Sequence, residues 1–225
     1  MTGLHDKRFP GEAEQYISAR NRLLEAELAL EDQLRSVAEL RQALPDGGAA
    51  PLDYAFETIE DGRPSTVHMS ELFLDGKPNL FLYSFMYGPD DDQPCPACTS
   101  LVDGFNGIAA HIGSAMNMAV VAKAPIEKIA DFAAPRGWSG IRLLSSAGNS
   151  YNSDYFAETP DGRQIPAANI FIRRDGEIRH FYGTEMLYVD RPRQHPRHVD
   201  RIWPIWNLLD MTPEGRGDWF PKLAY

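Results

Sequence analysis

The sequence contains only two cysteines, Cys95 and Cys98, in 225 residues. That excludes the disulfide scaffold by which small secreted domains are held together. A bridge between these two would close so short a loop that it would remove little unfolded-state entropy. The pair is therefore expected to serve reactivity rather than stability. Long hydrophobic runs are also missing, and no stretch approaches the roughly 18 apolar residues of a spanning helix. The opening residues, MTGLHDKRFPGEA, carry no apolar signal core, so the expectation is a cytoplasmic protein. Basic charge is scarce. Lysine and arginine total 22 against 32 aspartates and glutamates, a net charge of -10, which disfavours nucleic acid or an anionic membrane as partner. Ser145-Ser146-Ala147-Gly148-Asn149 lacks a phosphate-loop pattern, and no Ser/His/Asp arrangement has local support. No cofactor is implied.

What is present suits a globular protein: 43% hydrophobic residues can fill a sizeable core. From Glu12 to Leu44, the residues Leu23, Ala26, Leu30, Leu34, Val37, Leu40 and Leu44 recur at alternating steps of three and four. That spacing predicts one long helix, roughly 45 Å for about thirty residues. Pro45-Asp46-Gly47-Gly48 stops it. Such a helix either lies across its own domain or forms a coiled-coil seam in a homodimer. The division expected is a helical arm over residues 1–48 and a second domain over 49–225, with 49–51 as linker.

The second domain is organised around Asn79 to Phe105. An apolar run from Leu80 to Met86 leads through a turn-rich acidic segment to Cys95-Pro96-Ala97-Cys98, then to a helix expected over 99–114. A buried strand delivering two cysteines to the first turn of a helix is the layout of a dithiol redox centre. Before it, alternation over 54–59, the Asp61-Gly62 turn and a return strand over 63–69 predict a hairpin. A short helical turn over 70–73 has Ser70 as its expected N-cap. After it, strands are expected at 117–123, 141–144, 168–173 and 177–182, and helices from Pro125 to about 134 and over 198–209. Residues 145–154 read as a polar loop. This order predicts an α/β, thioredoxin-like fold with an added long N-terminal helix. The leading hairpin and the Ser-x-Leu-Phe-x-Asp-Gly-Lys entry at 70–77 point to its peroxiredoxin-like branch.

Dithiol chemistry needs one exposed thiolate to attack a sulfur and a second thiol to resolve the mixed disulfide. Positions i and i+3 of a first helical turn share a face, where the helix N-terminus stabilises negative charge. Pro96 presets the helical φ angle. Cys95 is thus the expected nucleophile and Cys98 the resolving thiol. The partners are a disulfide-containing or oxidised-thiol substrate and an external reductant. Asp90-Asp91-Asp92 pulls the other way, because nearby carboxylates disfavour a thiolate. A thiol peroxidase is the runner-up: its P-x-x-x-[TS]-x-x-C pattern would need Pro and Thr or Ser where Gly88 and Asp92 stand. A zinc site would need a second ligand pair, and His195-Pro196-Arg197-His198 has short spacing for one. A non-catalytic dimeric module, with the cysteines as redox sensor or metal clip, is the alternative of another class. His68, His111 and His180 read as surface or satisfied core histidines, and Trp203 and Trp206 as a packing face.

Several stretches together resemble an uncharacterised, mostly bacterial thioredoxin-like family, described as dithiol-disulfide oxidoreductase-like proteins of unknown function. They include Phe85-Met86-Tyr87-Gly88-Pro89, Cys95-Pro96-Ala97-Cys98, Asp103-Gly104-Phe105, Gly137-Trp138, and Asn207-Leu208-Leu209-Asp210-Met211-Thr212-Pro213. The resemblance implies a thioredoxin-like fold and a working cysteine pair at Cys95 and Cys98. Thioredoxins place a cis-proline before the first strand of the last hairpin; the proline available here is Pro166.

Overall fold

The structure, a computed structural model, describes residues 4–51, 53–190, 201–215 and 217–225. The chain divides into two compact units, Met1–Pro45 and Asp46–Tyr225. In the first, the step-of-three-and-four pattern gives helix α1, Glu14–Gln42. None of its residues is buried, and Leu23, Leu30, Leu34 and Leu40 are exposed. No helix among the described residues is long and apolar enough to cross a membrane.

In the second unit the central strand β3, Asn79–Ser84, is buried from Leu80 onward. Its side chains alternate between two cores, because successive residues of a strand point to opposite faces. Leu80 and Leu82 enter one core, with the hairpin strands β1 (Ala55–Glu60) and β2 (Arg63–His68) and the short helix α4 (Tyr151–Asp154). Phe81, Tyr83 and Phe85 enter the other, beneath helix α2, Pro96–Ala115.

On one side β3 pairs in parallel with β4 (Asn117–Ala122), Tyr83 opposite Val120. On the other it pairs antiparallel with β6 (Ala167–Arg174), Tyr83 opposite Ala168. β5 (Arg142–Ser145) adds to β4 in parallel, and β7 (Glu177–Gly183) to β6 antiparallel. The hairpin joins the β5 edge through Glu57 and Ser145. The seven-stranded order is β2-β1-β5-β4-β3-β6-β7. Within it, β4-β3-β6-β7, with α2 crossing between β3 and β4, is the thioredoxin-like arrangement. The fold class read from the sequence is what the structure has.

α2 settles on β3 through Cys98, Leu101, Val102, Phe105 and Ala109, one helical face. The Phe105 ring meets Phe81 and Tyr83 edge-on at 5.4 and 5.8 Å. Helix α3, Ile126–Ala133, adds Ile126, Ile129 and Ala133 to the same core. Asp103 then clamps α2 to the turn beyond α3. Its carboxylate accepts from Arg136 Nε at 3.1 Å and Trp138 Nε1 at 2.7 Å.

Four local expectations need correction. The turn over 70–73 is a 3-10 helix, Met69–Leu72, whose N-cap position is His68 rather than Ser70. The His68 N–H donates to the Glu71 carboxylate at 2.7 Å, while the Ser70 hydroxyl donates to Asp53 at 2.8 Å. The 145–154 loop contains α4 and buries Ser145, Ser146, Tyr151 and Asn152. The closing helix, α5, is Pro204–Leu209, with proline at its first position; the expected start at His198 lies outside the described residues. The 49–51 stretch is no free linker, because Ala50 N–H donates to Ile178 O at 2.8 Å and His180 N–H to Gly48 O at 3.0 Å.

Candidate redox site

β3 runs out at Ser84, and Phe85 to Tyr87 carry the chain beyond it. Phe85 N–H bonds Val121 O at 2.8 Å and Ala124 N–H bonds Tyr87 O at 2.9 Å, so this exit stays stitched to the end of β4. The cysteine end of the loop returns to the same place, since Cys95 N–H donates to Met86 O at 3.0 Å. Between them, the Asp91 carboxylate accepts Gly88 N–H at 2.7 Å. Lys128 on α3 donates to the carbonyls of Pro89 and Asp91, with its ammonium 4.9 Å from the Tyr87 ring centre. The acidic run is thus engaged in shaping its own loop.

Cys95 takes the N-cap position of α2 with extended backbone, φ -61 and ψ 124, and Pro96 follows as the first helical residue. The helix starts three residues before the expected 99, because proline needs no N–H partner there. Its first bond runs from Thr99 N–H to Cys95 O at 2.9 Å, reinforced by the Thr99 hydroxyl at 2.9 Å. Both cysteines are free thiols; Cys95 is half-buried and Cys98 buried, 3% exposed.

This geometry splits the two thiols. The hydrogen bond from the Cys98 thiol does most to hold Cys95 as a thiolate. Burial opposes it, the Cys98 and Ala97 N–H groups assist, and the Cys95 pKa is pulled down to about 6. The same bond, with burial, pushes Cys98 well above the ordinary thiol range; the Tyr83 hydroxyl and Met86 backbone partly offset this. The opposition expected from Asp90-Asp91-Asp92 does not appear among the influences on Cys95. The loop turns the Asp91 carboxylate onto the Gly88 N–H.

Cys95 opens onto a cleft of about 820 Å³. One wall is the 88–96 loop; the other comes from Lys123 and residues 158–164, including Glu158 and Gln164. Lys123 pairs with Glu158 at 3.6 Å and donates to Asn149 O at 3.1 Å. Behind that wall, the Ser146 hydroxyl donates to Asn152, and Asn152 Nδ2 to Gln164 Oε1, each at 2.8 Å. The Ser145–Asn149 stretch therefore braces the cleft. Nothing in the sequence pattern marked Lys123, Glu158 or Gln164, which lie in or next to loops without periodicity. Tyr83 was also missed, although a lone hydroxyl on the Phe81–Phe85 face of the apolar run was a readable signal.

The tryptophan and histidine candidates within the described residues fall where expected. Trp203 and Trp206 are buried in the Cys98 core with ring centres 4.9 Å apart, and Trp203 Nε1 donates to the Ser100 hydroxyl at 3.2 Å. His180 bonds Asn169 at 2.9 Å and burial lowers its pKa; His68 and His111 are exposed. Pro166 immediately precedes β6, and no cis peptide bond occurs among the described residues. No group of three or more His, Cys, Asp or Glu side chains able to hold a metal occurs among the described residues; His195 and His198 lie outside them.

The family of bacterial proteins of unknown function DUF899 matches residues 7–223. The chain belongs to this family. No curated protein matches it. Among solved structures, it is similar to peroxidoxin BcpB from Mycobacterium tuberculosis: 17% identity, TM-score 0.44, covering 72% of this chain and 95% of that one. A C84S mutant of Xanthomonas campestris peroxiredoxin Q gives 14%, 0.47, 72% and 96%. Reduced 2-Cys peroxiredoxin of Plasmodium vivax gives 19%, 0.46, 72% and 97%. The fold assignment of this DUF899 member rests on the strand order and pairing described above.

Proposed function

We propose that this protein is a thiol–disulfide oxidoreductase with Cys95 as nucleophile and Cys98 as resolving thiol. One observation carries the reading. The outer sulfur is half-buried beside a cleft and held anionic by the inner one, which is buried and held protonated. The Cys95 thiolate attacks one sulfur of a substrate disulfide; the substrate bond breaks, and its other sulfur leaves with the electron pair and takes a proton. Cys98 then gives up its proton and attacks the Cys95 sulfur, expelling the second substrate thiol. The substrate has gained two electrons and two protons, and the protein holds a Cys95–Cys98 disulfide. An external dithiol reductant restores it, which suits a reducing compartment such as the cytoplasm.

An insulin-reduction assay with dithiothreitol tests this. The wild type is expected to accelerate precipitation of the insulin chains, and Cys95→Ser and Cys98→Ser to abolish the acceleration. Equal activity of wild type and both variants would reject the enzyme reading. Reversible oxidation of the pair without turnover would support a passive redox sensor instead. Peroxide consumption is expected to be slow, because Gly88 and Asp92 occupy the positions that shape a peroxide pocket in peroxiredoxins.

A further inference from the structure

The resolving step poses a problem for this fold. Cys98 must become a thiolate inside an apolar core, where burial opposes the charge. Phe81, Phe85, Leu101 and Phe105 belong to the same cluster. No aspartate, glutamate, lysine or histidine belongs to that cluster. The groups that face the Cys98 sulfur are the Cys95 sulfur, the Met86 backbone and the Tyr83 hydroxyl.

Tyr83 cannot easily be elsewhere. It is 1% exposed, fixed between Val120 and Ala168 by the pairing of β3, and its ring stands edge-on to Phe105 at 5.8 Å. Strand alternation sends it to the α2 side, and its hydroxyl is a hydrogen-bond partner of the Cys98 sulfur.

Resting on the dithiol reading above, the geometry points to Tyr83 as the positioning residue of the second step: its hydroxyl donates to the Cys98 sulfur, aims it at Cys95, and stabilises the thiolate that expels the substrate. Tyr83 is donor and not base. Burial, followed by the charges of the two sulfurs, raises its pKa well above the ordinary tyrosine value, so it keeps its proton throughout. Cys98–SH and the Cys95–substrate disulfide become the Cys95–Cys98 disulfide and a free substrate thiol. The Cys98 proton ends on the departing sulfur, and no electrons enter or leave at this step.

Single-turnover reaction of the full chain with 4,4′-dithiodipyridine, a neutral chromogenic disulfide, separates the steps. The first thiopyridone released reports attack by Cys95 and the second reports resolution by Cys98. Tyr83→Phe keeps the ring. It is expected to slow the second phase roughly tenfold or more at pH 7, well beyond any change in the first, and to move the second phase's pH midpoint upward. A folded Tyr83→Phe protein with an unchanged second phase and midpoint would overturn the proposal. Should the phenylalanine variant not fold, 3-fluorotyrosine at position 83, a stronger donor of nearly the same shape, must act with the opposite sign and lower the midpoint; no change would be equally fatal. If the wild type shows neither phase, the oxidoreductase reading itself fails. Alkylation of Cys98 against pH in a Cys95→Ser background then still judges Tyr83: its replacement by phenylalanine must raise the alkylation midpoint, and an unmoved midpoint refutes the role.

Discussion

Replacing Cys98 by alanine would remove the donor that does most to keep Cys95 ionised. With a pKa of about 6, Cys95 is roughly nine-tenths thiolate at pH 7; an ordinary thiol near 9 would be about one-hundredth ionised. That is about a ninetyfold gain in the reactive form. A less basic thiolate is also a weaker nucleophile, and with a Brønsted slope near 0.45 this returns a factor of roughly twenty, leaving a net gain of about fourfold. The acidity therefore adds little to the rate of attack and acts mainly on the redox equilibrium, because a stabilised Cys95 thiolate favours the reduced pair over the Cys95–Cys98 disulfide.

The assay is alkylation of the reduced protein by iodoacetamide across pH 4 to 10, with the modified cysteine located by mass spectrometry. Wild type is expected to show a midpoint near 6. Cys98→Ala should climb above about 7 but stay below an ordinary thiol, because the N–H groups of Ala97 and Cys98 still face the sulfur. Cys98→Ser, which keeps a hydroxyl donor, should fall between. A wild-type midpoint above about 8, or the same midpoint in wild type and Cys98→Ala, would refute the account.

Further outcomes follow from the same contacts. Because folding favours the Cys95 thiolate, the reduced protein should gain thermal stability over Cys95→Ser as pH rises from 6 towards 9, and lose that gain as pH falls back through 6; differential scanning fluorimetry reads this. Asp103→Ala breaks the pair with Arg136 and leaves the Trp138 N–H without its acceptor, which should cost about 2 kcal/mol in urea unfolding. A Cβ at Gly47 would lie 1.9 Å from the His180 carbonyl oxygen, so Gly47→Ala must push the chain off β7. Faster hydrogen exchange of the Ala50 and His180 amides would report it. The cleft carries four carboxylates, Asp90, Asp91, Glu158 and Asp161, against Lys123 and Arg163. Cystamine should therefore be reduced faster than dithiodipropionate, by roughly tenfold at low ionic strength, with the ratio shrinking in salt.

The parts legible in sequence were those where a single physical demand sets the residues. β3 had to be apolar on both faces, so Leu80 to Tyr83 announced it, and the Asp175-Gly176 turn fixed the last hairpin; Asp175 has φ 53 and Gly176 φ 83. The cysteines at the start of α2 were readable because proline tolerates the first helical position. What escaped was set by tertiary contact. The 145–154 stretch looks polar because Ser146 and Asn152 satisfy one another inside the protein, not because they meet water. The groups that lower Cys95 are the Cys98 thiol and the Cys98 and Ala97 N–H groups, which the i, i+3 spacing marks only in part. Ser70 looked like a cap, yet Asp53, seventeen residues earlier, claims its hydroxyl.

The segment that runs alongside β7 has a consequence for how this protein meets others. Ala50 N–H donates to Ile178 O and His180 N–H to Gly48 O across it, Ala49 bridges Arg179, and the Arg174–Asp46 ion pair sits beside it. An unpaired strand is an adhesive rim, open to any extended peptide or to a second sheet. On the β7 side this chain supplies its own occupant, with Gly47 as the residue slim enough to let it lie down. Any strand that would pair with the 178–180 stretch of that rim must first displace this segment.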